Sequence, residues 1–129
     1  MIHLDTSFLI HALVKDSPED RRLRIWLAAR KPIAIASPAW AEFLCGPVHD
    51  DHVTLALRVV GEPLAFATAD ARAAARLFND GGRRRGSLLD CMIAAMALNR
   101  KAQLATCNGK DFARFETLGL ALIATRPGA

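Results

Sequence analysis

Four acidic residues of this chain lie where apolar surroundings are expected. Asp5, Glu42, Asp90 and Asp111 each stand inside or beside an apolar run, close behind a strand-like segment or near the start of a helix. Acidic side chains are rarely buried without a partner, because an unpaired charge is costly to remove from water. A divalent metal ion shared by all four would account for their placement.

Carboxylates that share a metal favour hydrolytic chemistry. Without metal such a cluster repels itself, whereas Mg²⁺ or Mn²⁺ prefers oxygen ligands and keeps several waters. A water bound in this way has a lowered pKa and can attack phosphorus, while the ion stabilises the charge that develops on the phosphate. Phosphodiester hydrolysis is therefore the predicted reaction class, with either one ion or two.

Each acid also has a structural interpretation. Asp5 could cap the helix that follows it, and Asp90 could close a capping box with Ser87. Asp111 could form an Asx turn before the next aromatic residue. Glu42 is harder to explain in this way, because it lies in an apolar helical run beyond the capping positions. Four such coincidences at one edge of the fold are less expected than one shared site.

The charge balance indicates an anionic partner. Lysine and arginine number 17 against 13 acidic residues, a net charge of +4; with the four acids neutralised by metal, 17 minus 9 leaves +8. Such a surface suits a polyanion. The densest basic stretch, Arg83, Arg84 and Arg85, lies between two glycines just before the helix that carries Asp90. It could bind RNA phosphates, or it could be an ordinary solvated loop.

Short apolar runs alternate with helical patterns along the chain. Strands are predicted at residues 2–4, 33–36, 64–67, 103–106 and, at the edge, 120–124. Helices are predicted at residues 7–14, from Ser17 and Pro18, from Ser37 to Gly46, at 49–60, at 71–78 with Asp70 as N-cap, and from Ser87 to about Arg100. This alternation predicts an α/β fold, a three-layer α/β/α sandwich around a mainly parallel sheet of four to five strands.

The predicted elements bring the acids together. In open parallel sheets the ligand cleft lies beyond the carboxyl ends of the strands. Asp5 follows the first strand, Glu42 lies in the helix after the second, and Asp111 lies in the loop after the fourth. Asp90 lies in the first turn of a helix that is apolar on all sides and is therefore expected to be central.

Length and composition predict one domain over residues 1–129. The chain is 52% hydrophobic, enough for a single core, and has no apolar run of the roughly 20 residues that a membrane span needs. Its first residues lack the basic start of a signal peptide, so a cytoplasmic location is predicted. Cys45, Cys91 and Cys107 are an odd set without metal-binding spacing and are expected to be buried.

Four motifs carry a family resemblance. They are LDTSFLI at residues 4–10, AEF at 41–43, LDCMIAA at 89–95 and TCNGKDF at 106–112. Each is short, but their order and intervals resemble those of PIN-domain ribonucleases. Within that family, the size and motif wording are similar to the VapC toxins of type II toxin–antitoxin systems.

The resemblance implies a metal-dependent endoribonuclease. Asp5, Glu42 and Asp90 would be the core carboxylates that bind Mg²⁺ or Mn²⁺, and Asp111 would complete the site. Three further residues match positions that support the site, namely Ser7, Thr106 and Asn108; each could equally be a cap, strand or turn residue. The resemblance also implies an RNA substrate, a homodimer and a cognate VapB-type antitoxin. Residues 40–44 with Cys45 are candidates for the dimer surface.

Two other functions remain open. A phosphatase of the haloacid dehalogenase type also has an aspartate after its first strand, but it expects a second aspartate where this chain has Ser7. A non-catalytic interaction module on the same fold is the stronger alternative, because an intact set of ligands does not establish turnover.

Overall fold

A four-stranded parallel sheet forms the centre of the computed structural model, which describes residues 1–126. Its strands are β1 (Ile2–Leu4), β2 (Ile33–Ala34), β3 (Gln103–Thr106) and β4 (Ala121–Ala124), in the order β2-β1-β3-β4. The strand β1 is paired on both sides, with Leu4 beside Ala105 at the carboxyl end. The predicted α/β class with a parallel sheet is confirmed. The predicted single domain extends to residue 129, and its last three residues lie outside the described ones.

Helices cover both faces of this sheet. In the described part of the chain they are α1 (Thr6–Ala12), α2 (Pro18–Ala28), α3 (Ser37–Cys45), α4 (Asp50–Val60), α5 (Thr68–Asp80), α6 (Leu88–Asn99) and α7 (Gly109–Phe112), followed by a 3-10 helix (Ala113–Leu118). Successive strand residues point to opposite faces, and Ile2, His3 and Leu4 are all buried. Both faces of β1 are therefore covered, as the predicted three-layer arrangement requires. No helix within residues 1–126 is long and apolar enough to cross a membrane.

Local signals explain where several helices begin. Before α2, the Ser17 hydroxyl accepts a hydrogen bond from the Asp20 N–H at 2.9 Å, and Pro18 occupies the first helical position. Along α6 the residues from Ile93 to Ala97 are all buried, as expected for a helix that is apolar on all sides. This helix packs against α5, α3 and β3.

The strand predicted at residues 64–67 is wrong. Only Leu64 pairs, through one parallel bridge to Ala36. Beyond it the Ala67 N–H, which a longer ladder would need, donates instead to the Asp70 carboxylate at 2.9 Å. The segment is therefore a connection to α5, and the sheet has four strands.

Asp70 is not the N-cap of α5 either. The helix begins at Thr68, so Asp70 is its third residue and its carboxylate returns to the backbone before the helix. The same buried carboxylate accepts hydrogen bonds from Asn99 at 2.9 Å and Arg100 at 3.1 Å. Asp70 thus joins the start of α5 to the end of α6.

Cys45, on the outward face of α3, was predicted to be buried, and this prediction is wrong. Phe43 is buried, but Ala41, Leu44 and Cys45 are exposed, so Cys45 is not the buried residue that was predicted. Cys91 and Cys107 are buried as expected. The apolar run around Glu42 therefore marks a surface of the described chain and not only its core.

Candidate active site

The carboxyl ends of β1 and β3 are neighbours in the sheet. From β1 the chain proceeds to β2 on one side, while β3 lies on the other, so the strand order reverses at this point. Such a reversal opens a crevice between the connections that leave the two strands. The Asp5 N–H donates to the Ala105 carbonyl at 2.9 Å, which fixes the exit of β1 against β3.

A cavity of about 430 Å³ lies at this crevice. Its walls contain all four predicted acids and two of the three predicted supporting residues. The lining residues are Asp5, Thr6, Ser7, Ile10, Glu42, Gly86, Leu89, Asp90, Asn108 and Asp111. The structure therefore brings the acids of four separate segments to one cavity: three that were expected after strands, and Asp90 from the first turn of α6.

Asp5 is the most buried of the four acids and is held by two hydroxyl groups. Its Oδ2 accepts hydrogen bonds from Ser7 Oγ and from Thr106 Oγ1, each at 2.8 Å. Both hydroxyls are oriented in turn by backbone donors, since Ser7 Oγ accepts from Cys107 N at 3.1 Å and Thr106 Oγ1 from Asn108 N at 2.9 Å. Ser7 and Thr106 thus fix the Asp5 carboxylate on the cavity wall.

Neither Asp5 nor Asp90 takes part in the capping arrangement that would give it a purely structural role. Asp5 stands at the N-cap position of α1, yet its side chain makes no capping hydrogen bond. Ser87 precedes α6 without a side-chain capping bond, and its hydroxyl donates to the Arg84 carbonyl at 2.6 Å. Neither carboxylate is therefore used to begin a helix.

Electrostatic repulsion is evident at two of the acids. Burial raises the pKa of Asp5, although the hydrogen bonds from Ser7 and Thr106 act in the opposite direction. At Asp90, burial first and then the negative charges of the other three acids raise the pKa to about 6. A cavity that makes its own carboxylates harder to ionise is one in which a cation would be strongly favoured.

Glu42, Asp111 and Asn108 lie nearer to solvent. Glu42 is exposed on α3, and Asp111 is half-buried in α7, which follows β3 after a short turn. Asn108 is exposed at the N-cap position of α7 and makes no side-chain capping bond. These three side chains are therefore more accessible from solvent than Asp5 is.

The arginine-rich loop divides into two parts. Arg83 is held away from the cavity by a hydrogen bond to Asn79 at 2.9 Å and lies against Phe78 of α5. Arg84 and Arg85 instead border a smaller cavity beside the carboxylates. One cationic residue was missed by the sequence analysis: Arg114, whose guanidinium donates to the Asp111 carbonyl. The spacing of three residues from Asp111 along helical backbone is the signal that could have indicated it.

The donor set fits a hard divalent cation that retains water. All four acids offer oxygen ligands, the type that Mg²⁺ and Mn²⁺ prefer. Over residues 1–126, however, no three acidic, histidine or cysteine side chains are close enough to hold one ion directly. Mg²⁺ is commonly bound by one or two carboxylates with water completing its shell, and the cavity has space for such a hydrated ion.

Comparison with known proteins identifies the fold independently. The family model of the PIN domain matches residues 2–118. No curated protein matches the sequence significantly.

Several solved structures share this architecture over almost the whole chain. A chain of a toxin–antitoxin complex from Klebsiella pneumoniae is 22% identical, with a TM-score of 0.75 and coverage of 97% of this chain and 98% of that one. A chain of VapBC2 from Rickettsia felis, bound to a DNA fragment from its promoter, is 24% identical, with a TM-score of 0.76 and coverage of 96% and 98%. A chain of VapBC-1 from nontypeable Haemophilus influenzae is 19% identical, with a TM-score of 0.72 and coverage of 97% of this chain and 98% of that one. At these identities the likeness shows a common fold.

Proposed function

Because the chain belongs to the PIN-domain family, whose model spans residues 2–118, we propose that it is a metal-dependent endoribonuclease that hydrolyses RNA phosphodiester bonds. The observation that carries this proposal is the convergence of Asp5, Glu42, Asp90 and Asp111 on one cavity. The net charge of +4, despite this acidic cavity, supports a polyanionic substrate.

The proposed cofactor is Mg²⁺ or Mn²⁺, held by oxygens of these four acids either directly or through bound water. When bound, the ion would lower the pKa of a water and stabilise negative charge on the phosphate. The chain itself positions the ligands: Ser7 and Thr106 orient Asp5, and the backbone of Asn108 orients Thr106. Asn108 also lines the cavity, where its amide could hydrogen-bond a substrate oxygen.

RNA recognition is proposed to depend on the phosphate backbone. The chain has no tyrosine, and Trp26 is buried, so it offers few aromatic platforms for stacked bases. Arg84 and Arg85 are exposed beside the carboxylate cavity and are placed to contact phosphates. Arg83 is engaged with Asn79 and is a weaker candidate for this role.

Cleavage of purified RNA tests the proposal directly. Total cellular RNA would be incubated with the protein in Mg²⁺, in Mn²⁺ or in EDTA, beside Asp5→Asn, Asp90→Asn and the control Asp51→Asn. Asp51 is an exposed carboxylate on α4 that does not line the cavity. We expect discrete fragments that require metal, disappear with Asp5→Asn and Asp90→Asn, and persist with Asp51→Asn.

The opposite result would favour the non-catalytic alternative. A folded protein that binds Mn²⁺ but yields no metal-dependent product would be an interaction module on the PIN fold. Equal cleavage by the wild type and Asp90→Asn would show that the activity comes from another site or from a contaminating nuclease.

We further propose that the nuclease is the toxin of a VapBC-type pair, acts on cytoplasmic RNA and is held inactive by a VapB-type antitoxin. The similarity of the fold to chains from toxin–antitoxin complexes of three bacteria supports this assignment. Induced expression should arrest bacterial growth, and Asp90→Asn should abolish the arrest. Growth that continues despite active nuclease in the cell would contradict the toxin role.

A homodimer is proposed as the assembly. Apolar side chains on α1, just after α1 and on α3 are open to solvent in one chain, with exposed fractions of 45% for Ile10, 58% for Val14 and 49% for Leu44. Ile10 and Val14 line an apolar groove of about 220 Å³ together with Phe43 and Val48, and Leu44 lies next to Phe43 in the chain. Exposed apolar surface of this kind is typical of protein interfaces.

A further inference from the structure

We propose that Arg114, with Arg84 and Arg85, forms a binding subsite for an RNA backbone phosphate next to the carboxylate cavity. The inference rests on the proposed ribonuclease function and assigns a role to Arg114 that the acidic site alone does not require.

The three arginines surround a second cavity of about 200 Å³. Its lining residues are Arg84, Arg85, Gly86, Ser87, Asp90, Asp111 and Arg114. Three of these, Gly86, Asp90 and Asp111, also line the carboxylate cavity, so the two spaces share a wall. An RNA strand with one phosphate at the carboxylates would therefore bring a neighbouring phosphate toward the arginines.

Arg114 is held in place before any ligand arrives. Its guanidinium donates to the Asp111 carbonyl, and its Cζ lies 4.2 Å from the centroid of the Phe115 ring. A guanidinium fixed by stacking and by one hydrogen bond loses little further freedom when it binds an anion.

One terminal nitrogen of this guanidinium still needs an acceptor. Nη2 of Arg114 is buried and has no hydrogen-bond partner among residues 1–126. A buried donor without an acceptor is unfavourable, so an oxygen supplied by a ligand would be bound strongly. Arginine forms charge-assisted pairs with phosphate through parallel N–H donors, which makes phosphate the ligand that fits.

The loop presents Arg84 and Arg85 to the same cavity. Its backbone is tied on one side by the hydrogen bond from Ser87 Oγ to the Arg84 carbonyl, at 2.6 Å. On the other side the Arg83 guanidinium is bound to Asn79. The side chains of Arg84 and Arg85 remain exposed within this anchored loop, so they can turn toward a phosphate without unfolding it.

The test is the salt dependence of RNA binding. A fluorescent single-stranded RNA of mixed sequence would be titrated in EDTA, where metal-dependent cleavage is absent, at several NaCl concentrations. The probe would be bound by the wild type, Arg114→Gln, Arg84→Gln and the control Arg76→Gln, an exposed arginine on α5 that borders neither cavity. For single strands each lost phosphate contact reduces the slope of log K against log salt by about 0.7.

We expect Arg114→Gln and Arg84→Gln each to weaken binding and to reduce the slope by about that amount, while Arg76→Gln leaves both unchanged. Arg114→Lys, which keeps the charge, should retain most of the slope. A purely structural Arg114 would instead lower the melting temperature and Mn²⁺ affinity in Arg114→Gln and leave the salt slope as in the wild type. That result, or a wild type that binds no RNA, overturns the subsite.

Failure of the subsite is distinguishable from failure of the nuclease proposal. Metal-dependent cleavage with unchanged salt slopes in Arg114→Gln and Arg84→Gln would retain the nuclease and reject the subsite. Altered slopes without any cleavage by the wild type would retain the RNA-binding subsite and reject the nuclease.

Discussion

Without metal in the cavity, ionisation of Asp90 lowers the free energy of unfolding. Its pKa of about 6 means that ionisation at neutral pH favours the unfolded chain, in which the carboxyl has its ordinary value of 3.8. The penalty is present above about pH 6 and disappears as the pH falls toward 4, because the carboxyl is then protonated in both states. A cation in the cavity would remove the same penalty at neutral pH.

Asp90→Asn should therefore stabilise the metal-free protein at pH 7.5. We expect a gain of about 1 kcal/mol, less than the full pKa shift implies because solvent screens the half-buried site. Thermal melting in EDTA at pH 7.5 and pH 4.5 would measure the gain and its loss in acid, while Mn²⁺ affinity should fall. A marked loss of stability at pH 7.5 would show that Asp90 supports α6 instead.

Thr106→Val should test the support of Asp5 with almost no change in volume. The substitution removes a buried hydroxyl that donates to Asp5 and accepts from the Asn108 N–H. We expect about 1–3 kcal/mol of destabilisation in urea denaturation, since both partners lose a hydrogen bond, together with weaker Mn²⁺ binding. Thr54→Val, on the exposed side of α4, is the matched control and should change neither property. Unaltered Mn²⁺ binding by Thr106→Val would mean that Asp5 needs no such support.

Single residues were predictable where the strand ends determine their position. Asp5 follows β1 directly and Asp111 lies in the short helix after β3, so their meeting at one edge could be inferred from the order of the elements. The direction of a long side chain could not be inferred from the order of the elements. Arg114 is separated from Asp111 by one helical turn, but its contact with the Asp111 carbonyl depends on how α7 continues into the 3-10 helix.

Among the elements, β1 carries an unusual buried residue. His3 lies at the middle of the strand, 1% exposed, and neither ring nitrogen has a hydrogen-bond partner among residues 1–126. Burial, and then the positive charge of Arg100, lowers the pKa of His3 to about 4. The folded strand therefore holds a neutral imidazole, whereas the unfolded chain takes up a proton below about pH 6.5.

His3→Leu should stabilise β1 and reduce its sensitivity to acid. Replacing an unpaired buried imidazole by an apolar side chain of similar size should add about 1 kcal/mol or more at pH 7. The difference from the wild type should grow as the pH falls from about 6.5 to 4, because only the wild type has the His3 imidazole, which is protonated more readily in the unfolded chain. Urea denaturation across this range would measure it. A variant less stable than the wild type at every pH would indicate that His3 has a partner, such as a buried water.

Element positions were predictable where periodicity and caps agreed. Four of the predicted strands and the start of α2 match the sequence analysis, because apolar runs and the cap formed by Ser17 act locally. The segment at residues 64–67 is apolar like a strand but does not form the hydrogen bonds of one. The Ala67 N–H donates instead to the Asp70 carboxylate, three residues later. This competition between a side chain and a strand ladder is local, but it comes from a polar residue beyond the apolar run, so the run alone does not reveal it.

At the scale of the whole molecule, the exposed face of α3 should control assembly. Leu44→Glu places a charge on the proposed dimer surface and should shift the protein toward monomer in sedimentation equilibrium. Ile25→Glu, which alters an equally apolar and 67% exposed side chain on α2, is the control and should leave the association state unchanged. A wild type that is monomeric at all concentrations, or a dimer unaffected by Leu44→Glu, would contradict this placement of the interface.

The span of the hydrogen bond between Thr106 and Asp5, 101 residues apart, has a consequence for the timing of synthesis. A chain still emerging from the ribosome contains Asp5 and Glu42 long before it contains β3, Thr106 or Asp111. Since β1 needs β3 beside it to complete the sheet, the cavity can close only after β3 and α7 have emerged from the ribosome. Under the proposed function, each molecule would thus become able to cut RNA only once these late segments have been made. A protein that binds the early helices could reach the nascent chain before that moment.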